Sequence, residues 1–224
     1  MAAPIPRMSV PDHVFERLRE EIVSGRYAPG ARLPSQRDLA AELEVNMATV
    51  REALGRLEQL RLLEVRHGEP MRVRDWRSSG SLDVLAGSQD AQALADLFEA
   101  RRLLLVEAAR LAAGRRSEEQ AAALSELAQA VAAAADDGAA LLADWSFMAT
   151  LVAAAENIVF RLIMNSVREL YLPRAEAFAA MLADRAQLAP LYEQVAKAVK
   201  AGAAADAAAA VERLVGAQER GLAA

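Results

Sequence analysis

The sequence contains no cysteine, which removes disulfides, thiolate-ligated zinc and thiol nucleophiles together and suits a reducing cytoplasm. Histidine occurs only at positions 13 and 67, so a histidine-rich metal site cannot be assembled. No apolar run reaches the ~18 residues of a membrane span. Residues 1–10 hold Pro4 and Pro6 and no long apolar stretch, and read as a short disordered lead rather than a signal peptide. There is no glycine-rich phosphate loop, no cluster of metal ligands and no histidine beside a serine or carboxylate motif. These absences argue against an enzyme, and no cofactor is expected.

What is present is alanine and charge. The chain is 54% hydrophobic over 224 residues, much of it alanine, the best helix former and a weak core filler. That length suits one large domain or two modest ones. The formal net charge is −5. Acidic and basic side chains balance through residue 76, so the deficit falls in the C-terminal part.

The apolar spacing changes along the chain. Val14, Leu18 and Ile22 repeat every four positions and predict a helix over 11–25, stopped by Gly25 and Pro29-Gly30. Ser35 is a natural N-cap, with Asp38 three residues later, for a second helix that buries Leu39 and Leu43. After a tight turn at 44–46, a third helix over about 47–60 places Val50, Leu54 and Leu57 inward. The period then becomes two. Leu63 and Val65, and after His67-Gly68-Glu69-Pro70 Met71 and Val73, predict a small basic antiparallel hairpin. Three helices followed by such a hairpin form a winged helix-turn-helix over 11–76. Residues 77–81 read as a linker, and 82–224 as an all-helical domain. Helices are expected near 81–87, 90–114, 117–136, 139–154, 158–182, 186–201 and 204–220, with Pro173 kinking the fifth. The fold class is therefore mainly α: a winged domain with a small hairpin, then a helical bundle.

The run Leu33-Pro34-Ser35-Gln36-Arg37-Asp38-Leu39-Ala40, followed by Val45 to Leu54, resembles the GntR family of bacterial regulators, as does the preceding stretch from Ser24. The remainder resembles the FadR-type effector domain, through Trp76, Ser79-Gly80 and Leu82, the Asp144-to-Asn157 block, Asn165 and Leu170-Tyr171. The resemblance implies a transcription regulator on double-stranded operator DNA. Arg37, Thr49 and Arg51 would contact phosphates, and the wing tip His67-Gly68 would reach the minor groove. Asn46, Met47 and Ala48 would stand at the reading end of the third helix. The family's arginine at the position of Met47 is missing. Met47 cannot contact guanine at two points, so the operator's central bases would differ, or discrimination there would rest on Asn46 and on DNA shape. One winged domain reads few base pairs, so a homodimer on an inverted repeat is expected.

Many FadR-type effector domains hold a metal on one aspartate and three histidines. Here Asp144 keeps its place, but Met148, Tyr192 and a position near Leu214 stand where the histidines would be. No metal is expected. Arg101 on the first long helix, Arg161, Asn165, Arg168 and Tyr171 on the helix at 158–182, and Tyr192 are candidates to surround an effector with Asp144 and Met148. In the competing reading Arg161 and Arg168 form a solvated outer face and Asn165 caps a helix-packing contact. A greasier cavity without metal points to an acyl-CoA or fatty acid, with a small organic acid or no ligand as alternatives. A protein-binding adaptor that ignores DNA is the rival of another class.

Overall fold

The structure, a computed structural model, describes residues 9–66, 69–85, 91–171 and 178–223. The chain divides into two compact units, Met1–Gln89 and Asp90–Ala224.

In the first unit, α1 (Val10–Val23) starts on a capping box. Ser9 accepts from the Asp12 amide, and the Asp12 side chain accepts from the Ser9 amide. Residues 9 and 10, expected in the lead, therefore belong to this helix. Val14, Phe15, Leu18 and Ile22 form its buried stripe. Ser35 caps α2 (Gln36–Glu42), and Asn46 caps α3 (Met47–Gln59). The hairpin is short: β1 (Leu63–Glu64) pairs antiparallel with β2 (Arg72–Val73), and buried Leu63 faces buried Val73. Val65, expected to continue the alternation, is 45% exposed, because the hairpin has already left the core at that point. Residues 30–33 flank the other edge of β2, with the Gly30 amide donating to Val73 O and the Leu33 amide to Met71 O. His67 and Gly68 lie outside the described residues.

The segment expected to be a linker is folded onto this first unit. It forms a helical turn, α4 (Trp76–Ser79), and a 3₁₀ turn at Leu82–Leu85. Val84 is fully buried in the same core as Leu18 and Leu57. A Cβ at Gly80 would stand 2.6 Å from Trp76 O, so the close return of the chain there requires glycine. Arg19, 2% exposed, fastens the turn: its Nη1 donates to Val84 O at 2.8 Å, while Nε and Nη2 donate to Glu16. The effector unit therefore begins later than residue 82, with the division falling after Gln89. One apolar residue, Val84, and one buried cation decide that boundary.

The second unit is helical: α5 (Ala91–Arg115), α6 (Glu118–Ala132), α7 (Asp137–Ala154), α8 (Ile158–Tyr171), a 3₁₀ turn (Ala179–Leu182), α9 (Arg185–Ala201) and α10 (Ala204–Ala223). Of the expected helix over 158–182, the described residues show α8 up to Tyr171 and a 3₁₀ turn at 179–182. Pro173 lies outside the described residues. Alanine explains the packing. Ala108, Ala109, Ala112 and Ala113 of α5 and Ala207 and Ala210 of α10 are all buried. Side chains this small let helix axes approach closely, while Leu105, Phe147, Leu151 and Leu214 supply bulk. No described helix is long and apolar enough to cross a membrane.

Arg19→Ala would leave the buried Val84 carbonyl without its donor, a cost of about 1–3 kcal/mol. The urea unfolding midpoint should fall accordingly, whereas exposed Arg17→Ala should change stability by no more than about 0.5 kcal/mol.

Candidate nucleic-acid interface and effector site

The N-terminus of α3 is built by its cap. Asn46 Oδ1 accepts from the Thr49 amide at 2.9 Å. The cap uses one lone pair of that oxygen and leaves the second, with the Nδ2 hydrogens, for contact outside the helix. Asn46, Met47 and Ala48 are exposed at this end of the helix. Thr49, expected to bond a phosphate, is 8% exposed, because the helical phase carries it onto the buried face with Val50 and Ala53.

Several arginines of the unit are paired within it. Arg17 and Arg26 pair with Glu21, Arg19 with Glu16, and Arg66 with Glu64. Arg56 donates to Asp12 at 2.8 Å and lies over the Phe15 ring. The Ser9 hydroxyl and then Arg56 hold the Asp12 carboxyl down to about 2. Arg72 donates to Gly30 O. Arg37 and Arg51, by contrast, are exposed and have no ion-pair partner among the described residues. A guanidinium without an internal partner is available to displace counterions from phosphate.

In the second unit a closed polar cluster occupies the core, and each of five helices contributes one residue. Asp144 of α7 is 1% exposed. Its Oδ2 accepts from the Tyr171 hydroxyl of α8 at 2.8 Å, and its Oδ1 from the Tyr192 hydroxyl of α9 at 2.5 Å. Gln218 of α10, fully buried, donates through Nε2 to Asp144 Oδ1 at 2.9 Å and to the Tyr192 oxygen at 2.7 Å. Gln218 Oε1 accepts from Arg101 Nη2 of α5 at 3.0 Å, and the same Nη2 lies 3.9 Å from Asp144 Oδ2. Arg101 is 9% exposed, and its Nη1 has no hydrogen-bond partner among the described residues. Aromatic rings enclose the cluster: Tyr171 stacks on Phe178 with centroids 4.9 Å apart, and Phe147 meets Tyr192 edge-on. Phe98 in turn stands edge-on to Phe178 and lines a surface groove of about 460 Å³ with Leu94, Ala95 and Leu222 and the charged Glu99, Arg102 and Glu219.

The family of bacterial regulatory proteins termed gntR matches residues 11–73, and the FCD domain matches residues 96–217, more than half the chain. The chain belongs to the gntR family and carries an FCD domain. The HTH-type transcriptional regulator Mce2R of Mycobacterium tuberculosis (strain CDC 1551 / Oshkosh) is 33% identical over 205 residues, 89% of this chain and 85% of that protein. The fatty acid metabolism regulator protein of Klebsiella pneumoniae subsp. pneumoniae is 30% identical over 193 residues, 84% of this chain and 80% of that one. Among solved structures, Streptococcus agalactiae GntR is 26% identical, covering 94% of this chain and 99% of that chain, with a TM-score of 0.51. Lar of Listeria monocytogenes, at 17% identity and a TM-score of 0.63, shares the fold. The protein is thus a DNA-binding transcriptional regulator of the gntR type with an effector-binding FCD domain.

The FCD core of this gntR protein brings together Arg101, Asp144, Tyr171 and Tyr192, with Met148 buried one turn along α7. It does not bring in Arg161, Asn165 or Arg168. These three are exposed on the outer side of α8, because the inward stripe of that helix is Met164, Val167, Leu170 and Tyr171. Gln218 was not anticipated. It stands one turn beyond Leu214, the position expected to replace a histidine, and Leu214 is ordinary core. The donors around Asp144 do not suit a transition metal. Burial, and then the Asp144 charge, push both tyrosine hydroxyls far above their usual range and keep them neutral. The Gln218 amide already bridges its neighbours, and a guanidinium stands 3.9 Å from the one carboxylate.

The tyrosines set an alkaline limit. A hydroxyl whose folded pKa is raised adds stability that is full below the unfolded value of 10.0 and lost as pH rises past it. Urea unfolding should therefore become easier as pH rises from about 10 upward. Tyr192→Phe should flatten that fall, while costing about 1–3 kcal/mol at neutral pH because Asp144 and Gln218 each lose a partner. On the DNA side, Arg51→Ala should weaken binding to all sequences alike and lower the slope of log affinity against log salt by about one. Fluorescence anisotropy across a salt series measures both quantities.

Proposed function

We propose that this gntR regulator binds an inverted-repeat operator as a homodimer and that a long-chain acyl ligand, a fatty acid or its CoA thioester, entering the FCD unit controls its hold on the DNA. The observation that carries the acyl reading is the chemistry around Asp144. Where a chelating centre for a small acid would need imidazoles, the chain has neutral phenols, a thioether and an aromatic stack. The likeness to a protein named fatty acid metabolism regulator, over most of both chains, supports the same reading. The groove beside Phe98 is of a size that small-molecule sites commonly have. Each buried methylene of an acyl chain would contribute about 0.8 kcal/mol.

On the DNA side, Arg37 and Arg51 grip phosphates, exposed Met47 and Ala48 offer apolar contact to thymine methyl groups, and the wing tip at His67 and Gly68 reaches the minor groove. The homodimer follows from the small number of base pairs that one winged unit spans.

A mobility-shift titration tests this reading. The DNA is an inverted repeat recovered with the protein from random sequence, and the ligands are acyl-CoAs of graded chain length. Operator affinity should change by at least about tenfold once the chain is long, because a few buried methylenes suffice for that. If no chain length alters affinity while a short hydrophilic acid does, the lipid reading fails.

A further inference from the structure

We infer that the outer face of the wing sheet is a second phosphate-binding surface, on which Arg32, Arg72 and Arg74 hold duplex DNA flanking the base pairs beneath α3. The inference rests on the operator reading above and adds a contact made by none of the residues named there.

The strand arrangement sets cations side by side. The segment at 30–33 runs antiparallel along the free edge of β2, with Arg32 directly opposite Arg72. The Val73 amide donates to Ala31 O and the Leu33 amide to Met71 O, which fixes that register. Leu33, Leu63 and Val73 are buried, so alternation turns Arg32, Glu64 and Arg72 outward. Arg74, two residues beyond Arg72, is exposed, as is Arg32. Opposed Cα atoms in such a ladder lie about 5 Å apart, and alternate residues along a strand about 7 Å apart. Three guanidinium groups are therefore gathered on one small face.

Like charges directly opposite each other weaken a sheet. The fold does not offset this pair. Glu64, across β2 from Arg32, is taken by Arg66 at 2.8 Å. Asp75 accepts from the Arg77 amide, and Glu69 stands in the turn beyond the paired strands. Arg72 reaches a main-chain oxygen, Gly30 O, at 3.1 Å. Arg32 and Arg74 have no ion-pair or side-chain hydrogen-bond partner among the described residues. A local rule broken with no return inside the fold marks a surface made for something outside it. The complementary partner is a polyanion. Duplex DNA fits best, because the face is continuous with a unit that already binds it. The inner face of the sheet packs into the core that holds Val50, Leu54 and Leu57 of α3. The outer face looks away from α3, so the phosphates it meets lie beyond those that α3 covers.

The test uses the full chain and two duplexes: the inverted repeat recovered from random sequence, trimmed to its ends, and the same repeat extended on both sides by unrelated sequence. The double variant Arg32→Gln, Arg74→Gln should bind the extended duplex at least about fivefold more weakly at low salt, and its slope of log affinity against log salt should fall by about two. On the trimmed duplex its affinity should stay within about twofold of the wild type. Removing the opposed charges should leave the melting temperature unchanged or raise it. A fall of more than about 5 °C would show that these arginines serve the fold, and would overturn the inference. Equal losses on both duplexes overturn it too, because the contact then lies within the repeat. No loss on either duplex also overturns it and leaves an acidic protein segment as the occupant of this face. Arg51→Ala, measured alongside, reports on the operator reading separately: it should weaken both duplexes, and if it weakens neither, that reading fails.

Discussion

The carboxylate of Asp144 sits where α5, α7, α8, α9 and α10 meet, and each of the other four helices sends one polar side chain into its cluster. The surrounding core is rich in alanine, and alanine is undemanding. Helices faced with small side chains bury similar areas in several neighbouring registers, so apolar contact alone distinguishes them weakly. A carboxylate with three donors at 2.5 to 2.9 Å does not tolerate such sliding, because each donor is directional and each lost partner leaves a buried polar group unmade. The helices that alanine allows to come close are thus fixed relative to one another by a few hydrogen bonds. Gln218 carries the largest share of that duty, since it joins the cation to the anion and ties the C-terminal helix to α5 and α9.

The DNA-binding unit answers a different constraint. A protein of net charge −5 must still present cations to a polyanion. It does so by pairing internally the arginines that serve the fold and leaving others unpaired. Arg19 and Arg56 secure the core and the 3₁₀ turn, and their carboxylate partners neutralise them locally. Arg37 and Arg51 project from α2 and α3 with no ion-pair partner among the described residues. Total charge says little about such a surface, and placement says nearly everything.

Much of this was legible in the residues. The spacing of Val14, Leu18 and Ile22, the Ser35 cap and the change to a period of two at Leu63 located the winged unit, because local propensity and tertiary packing agree there. The failures share a cause. Arg161, Asn165 and Arg168 do share a stripe of α8, but a stripe of polar residues gives no sign of which side faces the core. The apolar residues Met164 and Val167 mark that side. Residues 77–81 looked like a linker because serine and glycine dominate them, and residues 82–85 were assigned to the helical domain; the burial of Val84 depends on Arg19, some 65 positions away. Gln218 had no local signal at all. A lone glutamine on a surface-patterned helix becomes meaningful only when four other helices surround it.

Replacing a metal frame by neutral phenols and a carboxamide also changes what a ligand must do. A bound metal with an open position gains a small chelating acid without rearranging the protein. The cluster here is already satisfied apart from one guanidinium nitrogen, so a ligand gains nothing by mere entry. It shifts the protein only through contacts that differ between two arrangements of the bundle. Phe98, Phe178 and Tyr171 form a continuous aromatic path from the groove to the Asp144 hydrogen bond, and displacement of any one ring is felt by the next.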